Sequence, residues 1–234
     1  MTAPSARADK TIDMVRAALL PHGLFLRGTV NFEAGEVAPL LSDGRPAASV
    51  VLTGNIGGSL WQPFSAWRDA APDRGGRDPL DSWSKAVIQP LAAGLGATAY
   101  FPSDLPWQPF QQWAMRAEGL KPSPLGILIH PRFGLWHGYR GALAFGIPLG
   151  ETGEASVGHP CDRCLEKPCI SGCPAAALAG EGFDVGRCRG HLRTDAGRAG
   201  CLANGCLSRA ACPVGATHRY PPDQLCFHMA ALEL

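Results

Sequence analysis

Cysteine is missing from the first 160 residues, and tryptophan is missing after Trp136. The nine cysteines all fall between Cys161 and Cys226, whereas the six tryptophans run from Trp61 to Trp136. Charge is scarce as well: 18% of the residues are charged and 46% are hydrophobic, which excludes a disordered chain and allows a sizeable core. Twenty-one Lys and Arg against twenty Asp and Glu leave a formal charge of +1. That excludes a field strong enough to gather nucleic acid or an anionic membrane surface. Long apolar runs are lacking too. The uncharged stretch from Ala86 to Ser103 is broken by Gln89, Pro90, Gly94 and Gly96, so no membrane span is expected there. Residues 1–10 have no apolar segment and no twin arginine. The expectation is a cytoplasmic protein, where cysteines are more often ligands than disulfides.

The opposed distributions predict two modules, 1–150 and 151–234, with the seam in the Gly- and Glu-rich stretch Gly150 to Gly158. The second module has few large apolar side chains and needs a staple, for which a metal centre is the expected device.

That module repeats itself. Cys164, Cys169, Cys173 and Cys188 align with Cys201, Cys206, Cys212 and Cys226 at offsets of 37, 37, 39 and 38 residues. Cys173-Pro174 and Cys212-Pro213 each close a run of closely spaced cysteines, the ferredoxin-type signature for cubane iron–sulfur clusters. Short loops aim three thiolates at one face, and in two-cluster ferredoxins the fourth crosses to the other cluster. Proline after the last cysteine fixes φ and removes an N–H, which helps break the loop. Two 4Fe–4S clusters are expected, on Cys161, Cys164, Cys169, Cys173, Cys188, Cys201, Cys206 and Cys212. The run departs from the usual bacterial spacing by two extra residues between Cys164 and Cys169. Zinc and plain buried thiols are the competing readings, but only one Cys-x2-Cys pair is present. Cys226 is left over because it sits in an expected helix, Pro222 to Leu232, although the repeat pairs it with Cys188. His191 and His228 each follow a repeat-paired cysteine and can donate to cluster sulfurs or simply sit on helix surfaces.

The first module reads as α+β. Helices are expected over Asp9–Leu20, from Asp81 to a kink or end at Pro90, and over Trp107–Glu118. Strands are expected over Ser49–Thr53, Ala97–Phe101, Leu125–Ile129 and Gly141–Ile147. There is no Gly-x-Gly-x-x-Gly and no phosphate-binding loop, and Gly54-Asn55-Ile56-Gly57-Gly58 alone is a weak ligand signal. Trp61, Trp107, Trp113 and Trp136 can wall a large flat ligand, or be core.

The run from Ile129 through His130-Pro131-Arg132-Phe133-Gly134-Leu135-Trp136-His137-Gly138-Tyr139-Arg140 to Gly141 closely resembles a segment of the CblC-type cobalamin-processing proteins, the MMACHC family. The likeness extends through Val50-Val51-Leu52, Asp78-Pro79-Leu80-Asp81, Ala97-Thr98-Ala99-Tyr100 and Pro106-Trp107, so it covers about residues 40–150. The resemblance implies a nitroreductase-like sandwich that holds cobalamin without a protein axial ligand and removes its upper ligand. The missing Asp-x-His-x-x-Gly pattern does not discriminate, because the resembled families lack it too. By the same resemblance Arg140 matches a motif arginine that helps hold a thiol cosubstrate, and Trp136 lines that pocket. His130 and Arg132 join them as cofactor-binding candidates. For the arginines the competing role is a carboxylate partner, for His130 a satisfied loop histidine.

A cysteine-rich tail beside a related cobalamin fold is also similar in plan to epoxyqueuosine reductases and reductive dehalogenases. The expectation is therefore a nitroreductase-like sandwich followed by a small ferredoxin-like module. Together they form an iron–sulfur oxidoreductase that passes electrons from 4Fe–4S clusters to cobalamin or another small molecule, supplied by an external donor. Nitroreductase-like domains often dimerise, so a homodimer is an expectation of the resemblance. The other reading is a ferredoxin-like electron carrier whose first module docks a partner. A third is flavin on the same scaffold.

Overall fold

The computed structural model describes residues 3–150, 158–178 and 182–232. The expected seam at Gly150–Gly158 lies largely outside the described residues. The chain divides into two compact units. One takes in residues up to Gly119 and resumes at Gly138, and the other takes in Leu120–His137 together with the cysteine-rich tail. The segment with the family-like motif is thus cut at Gly138.

The first unit is mixed α and β. Helix α1 (Ala3–Leu19) presents Ile12, Val15 and Leu19 at helical spacing, all buried, and Pro21 and Gly23 end it through a short 3₁₀ turn. Strands β1 (Phe25–Asn31) and β2 (Ser49–Ile56) pair antiparallel, and β6 (His137–Phe145) pairs antiparallel with β3 (Thr98–Tyr100). They form a four-stranded sheet of order β1-β2-β6-β3. Seven of the eight β2 residues are buried, so this strand is covered on both faces. Its polar members are satisfied: Ser49 Oγ donates to the Ile147 carbonyl and Thr53 Oγ1 to that of Gly141. Helix α2 (Trp61–Ala70) meets α3 (Pro79–Leu95) through an edge-on Phe64–Trp83 pair at 5.8 Å, each fully buried ring contributing about 1.5–3 kcal/mol by burial.

The sheet and its helices confirm the α+β expectation, with differences of detail. Helix α3 does not end at Pro90 but continues to Leu95, and Gly96 in the left-handed region stops it. Pro90 sits on the exposed side, where water can take the carbonyl that its missing N–H leaves over. Strand β1 and helix α2 have no period in the sequence that announces them, because β1 carries Arg27, Gly28 and Asn31 and α2 carries Pro63 and no cap. Helix α4 (Phe110–Glu118) starts three residues later than expected and leaves Trp107 exposed.

In the second unit a two-stranded ribbon, β4 (Lys121–Pro122) and β5 (Leu128–Ile129), precedes the 130–136 loop. The tail then folds as short helices: α5 (Pro168–Ser171), α6 (Val185–Leu192), α7 (Asp195–Gly197) running into a π-turn (Arg198–Leu202), α8 (Leu207–Ala211) and α9 (Pro222–Ala230). Asp184 and Thr194 cap α6 and α7 by accepting backbone N–H groups from Arg187 and Gly197. No described helix is long and apolar enough to cross a membrane.

Candidate cysteine-lined sites

The short helices of the tail hold its cysteines at their ends. Cys161 lies in a 3₁₀ turn started by Pro160, and Cys169 lies in the single turn α5. Cys206 precedes α8 and Cys212 follows it, so five residues of helix separate the two thiols. Alpha-helical turns this short are not stable alone, and here they are held by one another. Ser208 of α8 donates to the Cys169 carbonyl of α5, which ties the two turns together.

Two pockets result, each lined by four cysteines. Cys161, Cys164, Cys169 and Cys212 line the first, with Ile129, Leu135 and Val214 as apolar wall. Cys173, Cys188, Cys201 and Cys206 line the second, with Leu192, Phe183 and Met229. The electrostatics draw the same division. Burial, then the neighbouring thiols of Cys212, Cys169 and Cys164, pushes Cys161 up to about 11. Burial, then Cys206, Cys173 and Cys201, raises Cys188. Cys169, Cys206 and Cys212 are also raised chiefly by burial, and each feels only thiols of its own set. Backbone N–H groups oppose the rise: Arg209 and Ser208 donate toward Cys206, and Val214 toward Cys212. Donors aimed at a sulfur favour the thiolate, the form that binds metal.

The sets are crossed in sequence. Cys173 follows the first triplet but lines the second pocket, and Cys212 follows the second run but lines the first. Cys226 belongs to neither: it is exposed, and its thiol contacts the Ala203 carbonyl at 3.0 Å. His191 lines the second pocket, whereas His228 lies against Tyr220 and Gln224. Among the described residues, no three His, Cys, Asp or Glu side chains converge as a single metal ion would require. A tetrahedral zinc with bonds of about 2.3 Å would draw its thiolates to within roughly 4 Å of one another.

The candidates from the 130–140 segment are divided. His130, Arg132 and Trp136 fall in the second unit and Arg140 in the first. His130 is buried, stacks on Phe133 at 4.1 Å, and its Nδ1 accepts from the N–H groups of Arg132 and Phe133. Arg132 lies over the Phe133 ring. Trp136 is 1% exposed and meets Tyr220 edge-on at 5.4 Å. Arg140 donates to its neighbour's carbonyl and approaches Asp81 at 3.7 Å. Of the other tryptophans, Trp113 is core. No local pattern singles out Arg209 or Tyr220, which cover Trp136. Their one signal is position, since Arg209 stands midway between two of the cysteines.

The fold is of the α+β kind found in CblC proteins. A solved structure similar to it is that of the B12-trafficking protein CblC of C. elegans, a homologue of human MMACHC. The TM-score is 0.56 at 16% identity, with 97% of this chain and 94% of that chain covered. No protein-family model and no curated protein matches the sequence.

Proposed function

We propose that this chain is an iron–sulfur oxidoreductase that holds two 4Fe–4S clusters and reduces cobalamin. The observation that carries it is the pair of four-cysteine pockets. A cubane is bound by four thiolates on four separate irons, so it asks for four sulfurs around a cavity rather than at a point. Cys161, Cys164, Cys169 and Cys212 would hold one cluster, and Cys173, Cys188, Cys201 and Cys206 the other. The crossed fourth ligand is the ferredoxin pattern, and the apolar walls and N–H donors around the sulfurs fit a buried anionic group. When bound, such clusters take up and release electrons one at a time. The protein's part is to exclude water with Ile129, Leu135, Leu192 and Met229 and to keep the two cysteine sets joined through α5 and α8.

Cobalamin as the acceptor is supported by the fold shared with a B12-trafficking protein and by the His130–Gly141 motif. The named side chains support it less: His130 and Trp136 are buried, and Arg140 is engaged near Asp81. The nitroreductase-like sandwich, the ferredoxin-like module, a homodimer and the external electron donor belong to this same proposal.

Anaerobic reconstitution should load about eight irons per chain. Titrating the reduced, loaded protein with cyanocobalamin should convert its bands to those of cobalt(II) or cobalt(I) cobalamin, saturating near one equivalent. An unchanged cobalamin spectrum beside clusters that still reduce would leave the electron-carrier reading. Failure to take up iron and sulfide would remove both.

A further inference from the structure

Helix α8 joins the two cysteine sets, with Cys206 of one at its start and Cys212 of the other at its end. Arg209 lies in its middle. Its guanidinium carbon sits 4.5 Å from the centre of the Trp136 ring and 4.6 Å from that of Tyr220, and those rings meet edge-on. One terminal nitrogen donates to the carbonyl of Leu135, a residue that lines the first pocket. Nε is buried with no hydrogen-bond partner, and among the described residues no carboxylate pairs with this arginine. A cation held this way is costly unless an anion lies close by. Two aromatic faces offset part of that cost. The remaining requirement is negative charge, and the wall of the first pocket is where the side chain is anchored. The cations felt directly by the thiols of the first pocket, Arg219 beside Cys212 and Lys167 beside Cys161, are both exposed.

We infer that Arg209, clamped by Trp136, Tyr220 and the Leu135 carbonyl, is the fixed counter-charge of the cluster held by Cys161, Cys164, Cys169 and Cys212 and raises its reduction potential. The inference rests on the cluster reading above. A thiolate-held cluster is anionic, and one-electron reduction adds a further negative charge without breaking a bond. A fixed cation nearby therefore stabilises the reduced form more than the oxidised one, most strongly where water cannot screen it. Arg209 is a positioning residue: it is not a ligand and touches no reacting atom. Arginine suits the place because its flat group stacks on rings and keeps its charge at every working pH.

The test is a redox titration of loaded protein, followed by electron paramagnetic resonance, on wild type, Arg209→Met and Arg209→Lys. Arg209→Met should lower the potential of one cluster, a tenfold loss of electron affinity reading as about 59 mV for one electron. The other cluster should move less. Arg209→Lys, which keeps the charge, should stay near wild type. Unchanged potentials in a fully loaded Arg209→Met protein overturn the inference, and so does an equal fall in both variants, which would make the arginine a packing element. Should Arg209→Met fail to hold iron, Arg209→Gln replaces it, keeping a donor for Leu135 without the charge. Loss of iron from both neutral variants with a loaded lysine variant supports the charge requirement, while loss from all three overturns it. Absence of iron in the wild type is a separate result and would overturn the cluster reading instead.

Discussion

Arg27 owes its buried position to one irregularity in the sheet. The β1–β2 register skips between Leu26 and Gly28, which makes Arg27 the extra residue of a bulge and turns its side chain inward. There it donates to the Glu118 carboxylate at 3.1 Å through Nε and to the Asn55 carbonyl, while Tyr139 donates to the same carboxylate. Burial lifts Glu118 above the ordinary carboxylate value, and Arg27 and Tyr139 hold it down only in part. Arg27→Met should therefore cost about 3–5 kcal/mol, because it leaves a buried carboxylate without its cation. Replacing Glu118 by Leu as well should recover much of that. The pH dependence gives the sign. Without Arg27 the carboxyl's native value rises further above its unfolded one. Stability is then full below about pH 4.5 and falls as pH rises through the native value. Urea denaturation across pH should show this slope in the single variant and lose it in the double variant. A flat profile in Arg27→Met would mean that the carboxylate finds another partner. At the same scale, Cys226→Ser should leave iron content unchanged, since this exposed thiol lines neither pocket.

Among the elements, the second unit depends on two loops that touch through glycine. Gly134 has φ +59°, and a Cβ there would stand 1.9 Å from the Val214 carbonyl oxygen. Gly215 has φ +67°, and its Cβ would stand 2.2 Å from the Phe133 carbonyl carbon. The 130–136 loop is thereby pressed against the Cys212-Pro213-Val214 turn, with Leu135 and Cys212 in one apolar cluster. Gly134→Ala should displace that turn and withdraw Cys212, so that iron content falls by about half while the second site stays loaded. Full loading would show that the turn can yield. These contacts also show what was legible beforehand. Helix α1 with its helical spacing, the apolar run of β2 and the Cys-Pro turns could be read from sequence because each carries its own signal. The bulge at Arg27 and the contact of Gly134 with Val214 join residues about 80 positions apart or depend on register, and neither leaves a local pattern. Which cysteine joins which pocket was not legible, since the repeat alignment, which matches Cys226 with Cys188, points elsewhere than the crossed grouping. His130 became a loop histidine for a similar reason: its Nδ1 is spent on two backbone N–H groups that only the folded turn brings to it.

At the scale of the whole chain, the two units draw their stability from different sources. The first has a core of large side chains, among them Leu19, Leu52, Phe64, Trp83 and Ile88, all fully buried. The tail's clusters are small, built on Ile129, Leu135 and Cys212 in one place and on Leu192, Cys201 and Met229 in the other. With so little apolar surface to bury, the tail on the proposed reading depends on its two clusters to stay folded, and their removal should be felt there first. Iron-stripped protein should therefore unfold in two transitions where loaded protein resists the earlier one, and the Trp136 and Tyr220 signals should follow the earlier step. The sign of its pH dependence follows from the thiols. In the stripped protein Cys161 titrates near 11 against an ordinary value of 9.0, so its native state keeps a proton that the unfolded chain gives up. Its contribution to stability is complete below about pH 9 and disappears as pH rises toward 11, with the raised Cys169, Cys188, Cys206 and Cys212 acting in the same direction. The earlier transition should move to lower denaturant from about pH 9, whereas the later one, which involves no cysteine, should hold until the buried Tyr139 begins to act in the same direction near pH 10. If the two transitions move together, or only one is seen, the tail does not depend on its thiols for stability and the small clusters suffice.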